Sequence, residues 1–140
     1  MVSQQARKNI IDDILNSSVF NVKYHLGSNQ QPHTDELTIL ADFVEATFLG
    51  YAAVNARAVP ASAINAGLQA ETGQVEYVFT ASNSIVTAEV ILNAYATFVD
   101  HLGATKLMWH VYFPVPKVVS SPGDEIRVKV DWFLTDLVVP

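Results

Sequence analysis

The clearest pattern along the chain is a run in which Ile126, Val128, Val130, Trp132 and Leu134 alternate with Arg127, Lys129, Asp131 and Phe133. A period of two sends alternate side chains to opposite faces of a sheet, so the run predicts a strand over 125–137 with Ile126, Val128, Val130 and Trp132 on the buried face. The Ser-Ser-Pro-Gly-Asp ahead of it, ending at Asp124, supplies a fixed φ, a residue free to take positive φ and a carboxylate able to cap a turn. Three further strands are predicted over 75–81, 87–100 and 105–113, separated by Ser82-Asn83-Ser84, by His101-Leu102-Gly103-Ala104 and by the proline-containing stretch 114–123.

The first half is less regular. Phe20, Val22, Tyr24 and Leu26 alternate with Asn21, Lys23 and His25, which predicts a first strand over 19–26 that ends at Gly27. Residues 28–34 read as a polar loop. The stretch 35–48 has near-helical and strand-like spacings together; it is read as a short helical turn over 37–43 followed by a strand over about 46–57, which Pro60 ends. Small and polar residues over 62–73 read as a loop or edge strand.

One helix is predicted, over 3–17, with Ser3 as its N-cap. Ile10, Ile11, Ile14 and Leu15 fall at i, i+1, i+4 and i+5 and make its apolar stripe. A helix this short gains little stability alone, so the stripe must dock, either on its own domain or on a neighbouring subunit. The close succession of strand and turn then predicts a mainly β protein: an antiparallel β-sandwich, jelly-roll-like, preceded by an N-terminal helix or arm over 1–18 and occupying 19–140 as a single domain.

Composition narrows the function classes. Of the 140 residues, 50% are hydrophobic and only 16% charged, against roughly 25% in typical domains, so partners are expected to cover part of the surface. A net charge of −6 with eight scattered Lys and Arg argues against a nucleic-acid partner. No cysteine is present, which removes disulfides and thiolate sites. The N-terminus lacks the apolar core of a signal peptide and no apolar run is long enough to span a bilayer, so no membrane partner is expected and release into the cytoplasm is.

Candidate chemistry is sparse. His33-Thr34-Asp35-Glu36 is the densest set of metal-ligand side chains, but no second group has matching spacing, and it reads as a solvated loop. Asp12 and Asp13 diverge on a helix and read as solvent contacts. His110 is a lone strand histidine, and the dispersed glycines form no phosphate-cradling loop. No catalytic residue, cofactor or metal is expected. Trp109 and Trp132 with Tyr95, Phe98, Tyr112 and Phe113 would suit either a sugar-stacking groove or a core. Phe133 shares its parity with Lys129 and Asp131, so it joins Ile10, Ile11, Ile14 and Leu15 as a candidate interface residue.

Four stretches carry a resemblance. They are Asp42-Phe43-Val44-Glu45-Ala46-Thr47-Phe48-Leu49-Gly50-Tyr51, then Ala94-Tyr95-Ala96-Thr97-Phe98-Val99-Asp100, then Leu107-Met108-Trp109-His110-Val111-Tyr112-Phe113-Pro114-Val115-Pro116, and last Pro122-Gly123-Asp124-Glu125-Ile126-Arg127-Val128. From Asp42 onward the chain resembles a family of small virion structural proteins of tailed bacteriophages. The resemblance implies a non-enzymatic virion protein that oligomerises, with a trimer favoured. It would cement or decorate the head by binding the major capsid protein across capsomer joints, or else serve as a tail, baseplate or fibre component with glycan or receptor binding. The chain departs from the family in its short Asp100-His101-Leu102-Gly103 turn, where a longer glycine-rich hairpin is usual, and the 3–17 helix has no place in the shared pattern.

Overall fold

The computed structural model describes residues 3–29, 38–56, 62–64 and 69–134, with residues 133 and 134 described in backbone only. Two antiparallel sheets face each other as a β-sandwich, and one helix precedes them. The strands are β1 (Lys23–Gly27), β2 (Val54–Asn55), β3 (Ala63–Ile64), β4 (Ala70–Thr80), β5 (Glu89–Val99), β6 (Thr105–Val119) and β7 (Glu125–Leu134). One sheet has the order β2-β1-β5-β6 and the other β3-β4-β7.

The alternation read over 126–132 governs the interior. Ile126, Val128 and Val130 are buried on β7, and they meet Tyr77 and Phe79 of β4, Tyr24 and Leu26 of β1, and Ala94 and Ala96 of β5. Tyr24 and Tyr77 stack across the two sheets with ring centroids 3.9 Å apart. Trp109 of β6 lies 6.3 Å from Trp132 of β7. The outer residues of β7 and β4 are charged and form a ladder of their own: Arg127 bonds Glu76 at 2.6 Å and Glu125 at 2.7 Å.

The helix α1 (Gln4–Asn16) begins as read, with Ser3 Oγ accepting from the Ala6 N–H at 3.1 Å. It packs on its own domain. Ile11 and Leu15 are buried with Ala70, among Ile64, Val75, Met108 and Trp132, so the helix closes the end of the sandwich where β3, β4, β6 and β7 converge. The Ser62 N–H donates to the Asp12 carboxylate at 2.8 Å, which gives Asp12 a structural tie instead of a solvent contact.

Several boundaries differ from those read in the sequence, each for a local reason. β1 starts at Lys23, not residue 19, because the chain turns first: Asn21 takes φ of 44°, a conformation asparagine tolerates, and Val19 is left exposed. The strand expected over 46–57 shrinks to Val54–Asn55, since Gly50 takes φ of 91° and bends the chain after Phe48. The helical turn is a single 3-10 turn over Leu40–Asp42, held by the Ile39 N–H donating to the Asp42 carboxylate at 2.9 Å.

The 62–73 stretch supplies the edge strand β3 and the start of β4, which begins five residues earlier than expected. A bulge between Glu71 and Gln74 permits this: Gly73 takes φ of 76°, and the Trp132 N–H, displaced from the ladder, donates to Thr72 Oγ1 at 3.2 Å. β6 continues through Pro114 and Pro116 to Val119. It is an edge strand, where a missing N–H is tolerated, and its pairing with β5 shifts register between Ile91 and Asn93. At the turn before β7, the Asp124 carboxylate accepts from the N–H groups of Ser120 and Ser121, as the turn chemistry predicts. The predicted strand ends at 135–137, the loop at 30–34 and the acidic cluster His33-Thr34-Asp35-Glu36 lie outside the described residues.

Candidate functional site

Because Tyr24 and Leu26 point into the core, Lys23 and His25 stand on the outer face of the four-stranded sheet. The register places His25 beside Tyr95 and Tyr95 beside His110. Three rings therefore form a row across β1, β5 and β6, with His25 stacked on Tyr95 at 4.8 Å. Phe43 lies over this row, 4.5 Å from Tyr95 and 5.9 Å from His110.

Phe43 belongs to a strap, residues 38–46, which crosses the outer face. Its backbone joins β1 through one bridge, Gly27 to Glu45, with Ala46 N–H donating to Leu26 O and Ser28 N–H to Val44 O, both at 2.9 Å. The Asn29 amide clamps it from the side, donating to Asp42 O at 2.6 Å and accepting from the Val44 N–H at 2.7 Å.

Glu45 ties the strap to the sheet. One carboxylate oxygen, Oε1, accepts from His25 Nδ1 and from the Tyr51 hydroxyl, each at 2.8 Å. The Tyr51 oxygen in turn accepts from the Leu26 N–H at 3.1 Å. A carboxylate on Nδ1 requires the ring proton there, which leaves Nε2 to accept from Thr97 Oγ1 at 2.9 Å. Burial pushes the Glu45 carboxyl up, yet the hydrogen bonds from His25 and Tyr51 together outweigh it and hold the group below its ordinary value. Burial pushes the Tyr95 and Tyr51 hydroxyls up.

Thr97, His25 and Glu45 stand in the order hydroxyl, imidazole, carboxylate, the order that activates a nucleophile in acyl-transfer sites. Here Thr97, on the same face of β5 as Tyr95, is buried at 4% exposure, so its oxygen is closed to a substrate. The string cross-links strap, β1 and β5. No group of three or more His, Cys, Asp or Glu side chains suited to a metal ion occurs among the described residues.

A second surface lies at the end of the sandwich opposite the helix. Leu49 and Ile85 line an open recess of about 350 Å³ with Thr47, Phe48 and Glu89. Ile85 is 92% exposed, and on β5 and β6 the paired Val90 and Val118 are exposed as well. Glu89 holds the rim, accepting from the Thr47 N–H at 2.9 Å and from its hydroxyl at 2.9 Å.

The chain matches no family model, no curated protein and no solved structure. Its chemistry must be read from its own geometry.

The candidate interface residues from the sequence are not brought together. Ile11 and Leu15 are buried in the domain, Ile14 is partly buried against the main core, and Ile10, read as part of the same stripe, is 42% exposed. Phe133 pairs in backbone with Glu71, and its side chain lies outside the described residues. Of the aromatic set, Phe113 and Tyr95 are buried and both tryptophans pack against the core; Tyr112 stands partly exposed. Sequence reading missed His25, Glu45, Tyr51 and Thr97 as a group, since their partners lie 20 and 72 residues apart. It missed the apolar end because Ile85 and Leu49 sit singly outside the strands.

Proposed function

We propose that this protein is a non-enzymatic bacteriophage virion component that acts by binding, cementing or decorating a capsid as an oligomer seated across the joints between capsomers. The observation that carries the binding role is the apolar end, where Leu49 and Ile85 line an open recess and meet solvent. Clustered aliphatic surface of this kind gains free energy when a partner removes it from water. The virion assignment itself comes from the four stretches that resemble tailed-phage structural proteins.

Charge supports a protein partner. Lys106 is paired with Asp100 at 3.1 Å, and Arg127 is paired with Glu76 and Glu125, so these cations are engaged within the domain instead of being offered to phosphates. No helix among the described residues is long and apolar enough to cross a membrane. The mechanism is mass action: a protein that binds the assembled shell and not its loose subunits shifts the equilibrium toward the shell. A trimer would suit local threefold joints. A tail or fibre role with a sugar-stacking groove has less support, because both tryptophans and Phe113 pack against the core and Phe43 covers Tyr95.

Light scattering of the purified chain and co-sedimentation with phage particles lacking it test the reading. Binding by the wild type and its loss in Ile85→Asp, with the melting temperature unchanged, is the expected result. A monomer that fails to sediment with any particle preparation overturns it.

A further inference from the structure

We propose that the strap, residues 38–46, opens as a unit from the outer face of the four-stranded sheet, and that the contacts of Glu45 with His25 and Tyr51 are its latch. Opening uncovers the aromatic row of His25, Tyr95 and His110. The proposal stands independently of the virion reading.

Three features carry it. The strap is outside both strand ladders and meets β1 at a single bridge. The side chains of Ile39, Ala41 and Val44 face solvent, so the strap's fully buried apolar side chains are Phe43 and Ala46, with Leu40 partly buried. An open groove of about 430 Å³, lined by Thr38, Ile39, Leu40, Ala41, Thr105, Lys106 and Leu107, separates the first residues of the strap from the start of β6. A segment so placed belongs to the low-stability end of a fold.

The latch responds to acid through Glu45. Facing it are Lys23 and His25 on β1 and Tyr51 beyond the strap, while Tyr95 on β5 feels its charge. An imidazolium at His25 still donates through Nδ1 to Glu45 and through Nε2 to Thr97, so protonating the ring leaves the latch in place. Protonating Glu45 replaces charge-assisted bonds by weaker neutral ones. Since closure lowers the proton affinity of Glu45, its contribution is present above the ordinary glutamate range near about 4.3 and is lost as pH falls through the lowered value.

Amide hydrogen exchange on the full chain, read by NMR, tests this. The reporters are Ala46 and Ser28, whose N–H groups bond across the strap, with the amides of β4 and β7 as the reference for global opening. In the wild type the reporters should exchange faster than the reference, and in Glu45→Ala they should accelerate about ten- to hundredfold with the reference unchanged. After correction for intrinsic exchange, moving the wild type from about pH 6 to about pH 3 should accelerate the reporters alone, an effect that Glu45→Gln removes. Reporters as slow as β4 and β7 in wild type and Glu45→Ala alike overturn the proposal. So does equal acceleration of both sets, or an acid response that persists in Glu45→Gln.

Discussion

The indole Nε1–H of Trp132 donates to the Tyr24 hydroxyl at 2.7 Å, joining the two sheets through the middle of the sandwich. Burial pushes the Tyr24 hydroxyl up out of the titrating range, so it stays neutral and can serve as acceptor here while stacked on Tyr77. The tryptophan thus fills the space between the sheets and places its own indole N–H on a hydroxyl inside the core.

Replacing it separates these two roles. Trp132→Ala should cost roughly 3 to 5 kcal/mol, and Trp132→Phe about 1 to 3, the latter reflecting the lost donor and a smaller ring. Lys129→Ala, on the solvent face of the same strand, should change stability by less than about 0.5 kcal/mol. Urea titrations that give equal losses at positions 132 and 129 would reverse the assignment of the faces of β7.

The helix prediction follows from spacing. Arg7, Ile11 and Leu15 are buried at intervals of four, and this line fits against Ala70 at the end of the sandwich. Ile11→Ala and Leu15→Ala should each cost about 2 to 5 kcal/mol, whereas Ile10→Ala should cost much less. Removing residues 1–17 should lower the melting temperature of the remaining domain; an unchanged melting curve would show that the helix is dispensable to the fold.

Gly27 and Asn93 face each other in the β1 and β5 pairing, and a Cβ built on Gly27 would overlap the Asn93 side-chain amide. Gly27→Ala should therefore destabilise by at least about 1 to 3 kcal/mol. In an Asn93→Ala background the same substitution should cost well under half as much, since the obstructing amide is gone. A double-mutant cycle with no coupling between the two positions would rule out the overlap as the cause.

How much of this could be read in the sequence depends on range. The faces of β7 were legible because one period of two runs unbroken from Ile126 to Trp132. The helix was legible as an element, but its buried line was not: Ile10 and Ile11 lie about 100° apart, and only the shape of the site between the sheets selects Ile11 over Ile10. The bulge at Thr72 and Gly73 hid the start of β4, because a single extra residue breaks the alternation on which the reading depends. The His25, Glu45 and Thr97 string was out of reach, since it exists only once β1, β5 and the strap are in register. The apolar end was equally hidden, because Leu49 and Ile85 belong to connecting segments that come together from separate parts of the chain.

The same bulge brings two carboxyls together and sets the last prediction. Glu71 and Asp131 lie on the outer face of the β4 and β7 pair, on either side of the displaced Thr72 and Gly73. Burial, then the hydrogen bond and like charge of Glu71, raise the Asp131 carboxyl above its ordinary range. The folded state therefore holds a proton that the unfolded chain releases. Stability from this group is greatest below the ordinary aspartate value of about 3.9 and falls as pH rises through the raised value. Asp100 and Asp124 act in the opposite sense: backbone N–H donors hold both carboxyls below their ordinary range, so their contribution is lost on acidification. Asp131→Asn should then raise stability at neutral pH and remove the falling part of the profile while leaving the acid limb intact. Denaturant midpoints measured across the acid and neutral range should show this divergence between wild type and variant. A uniform offset at every pH would mean that Asp131 does not share its site with Glu71 in the folded protein.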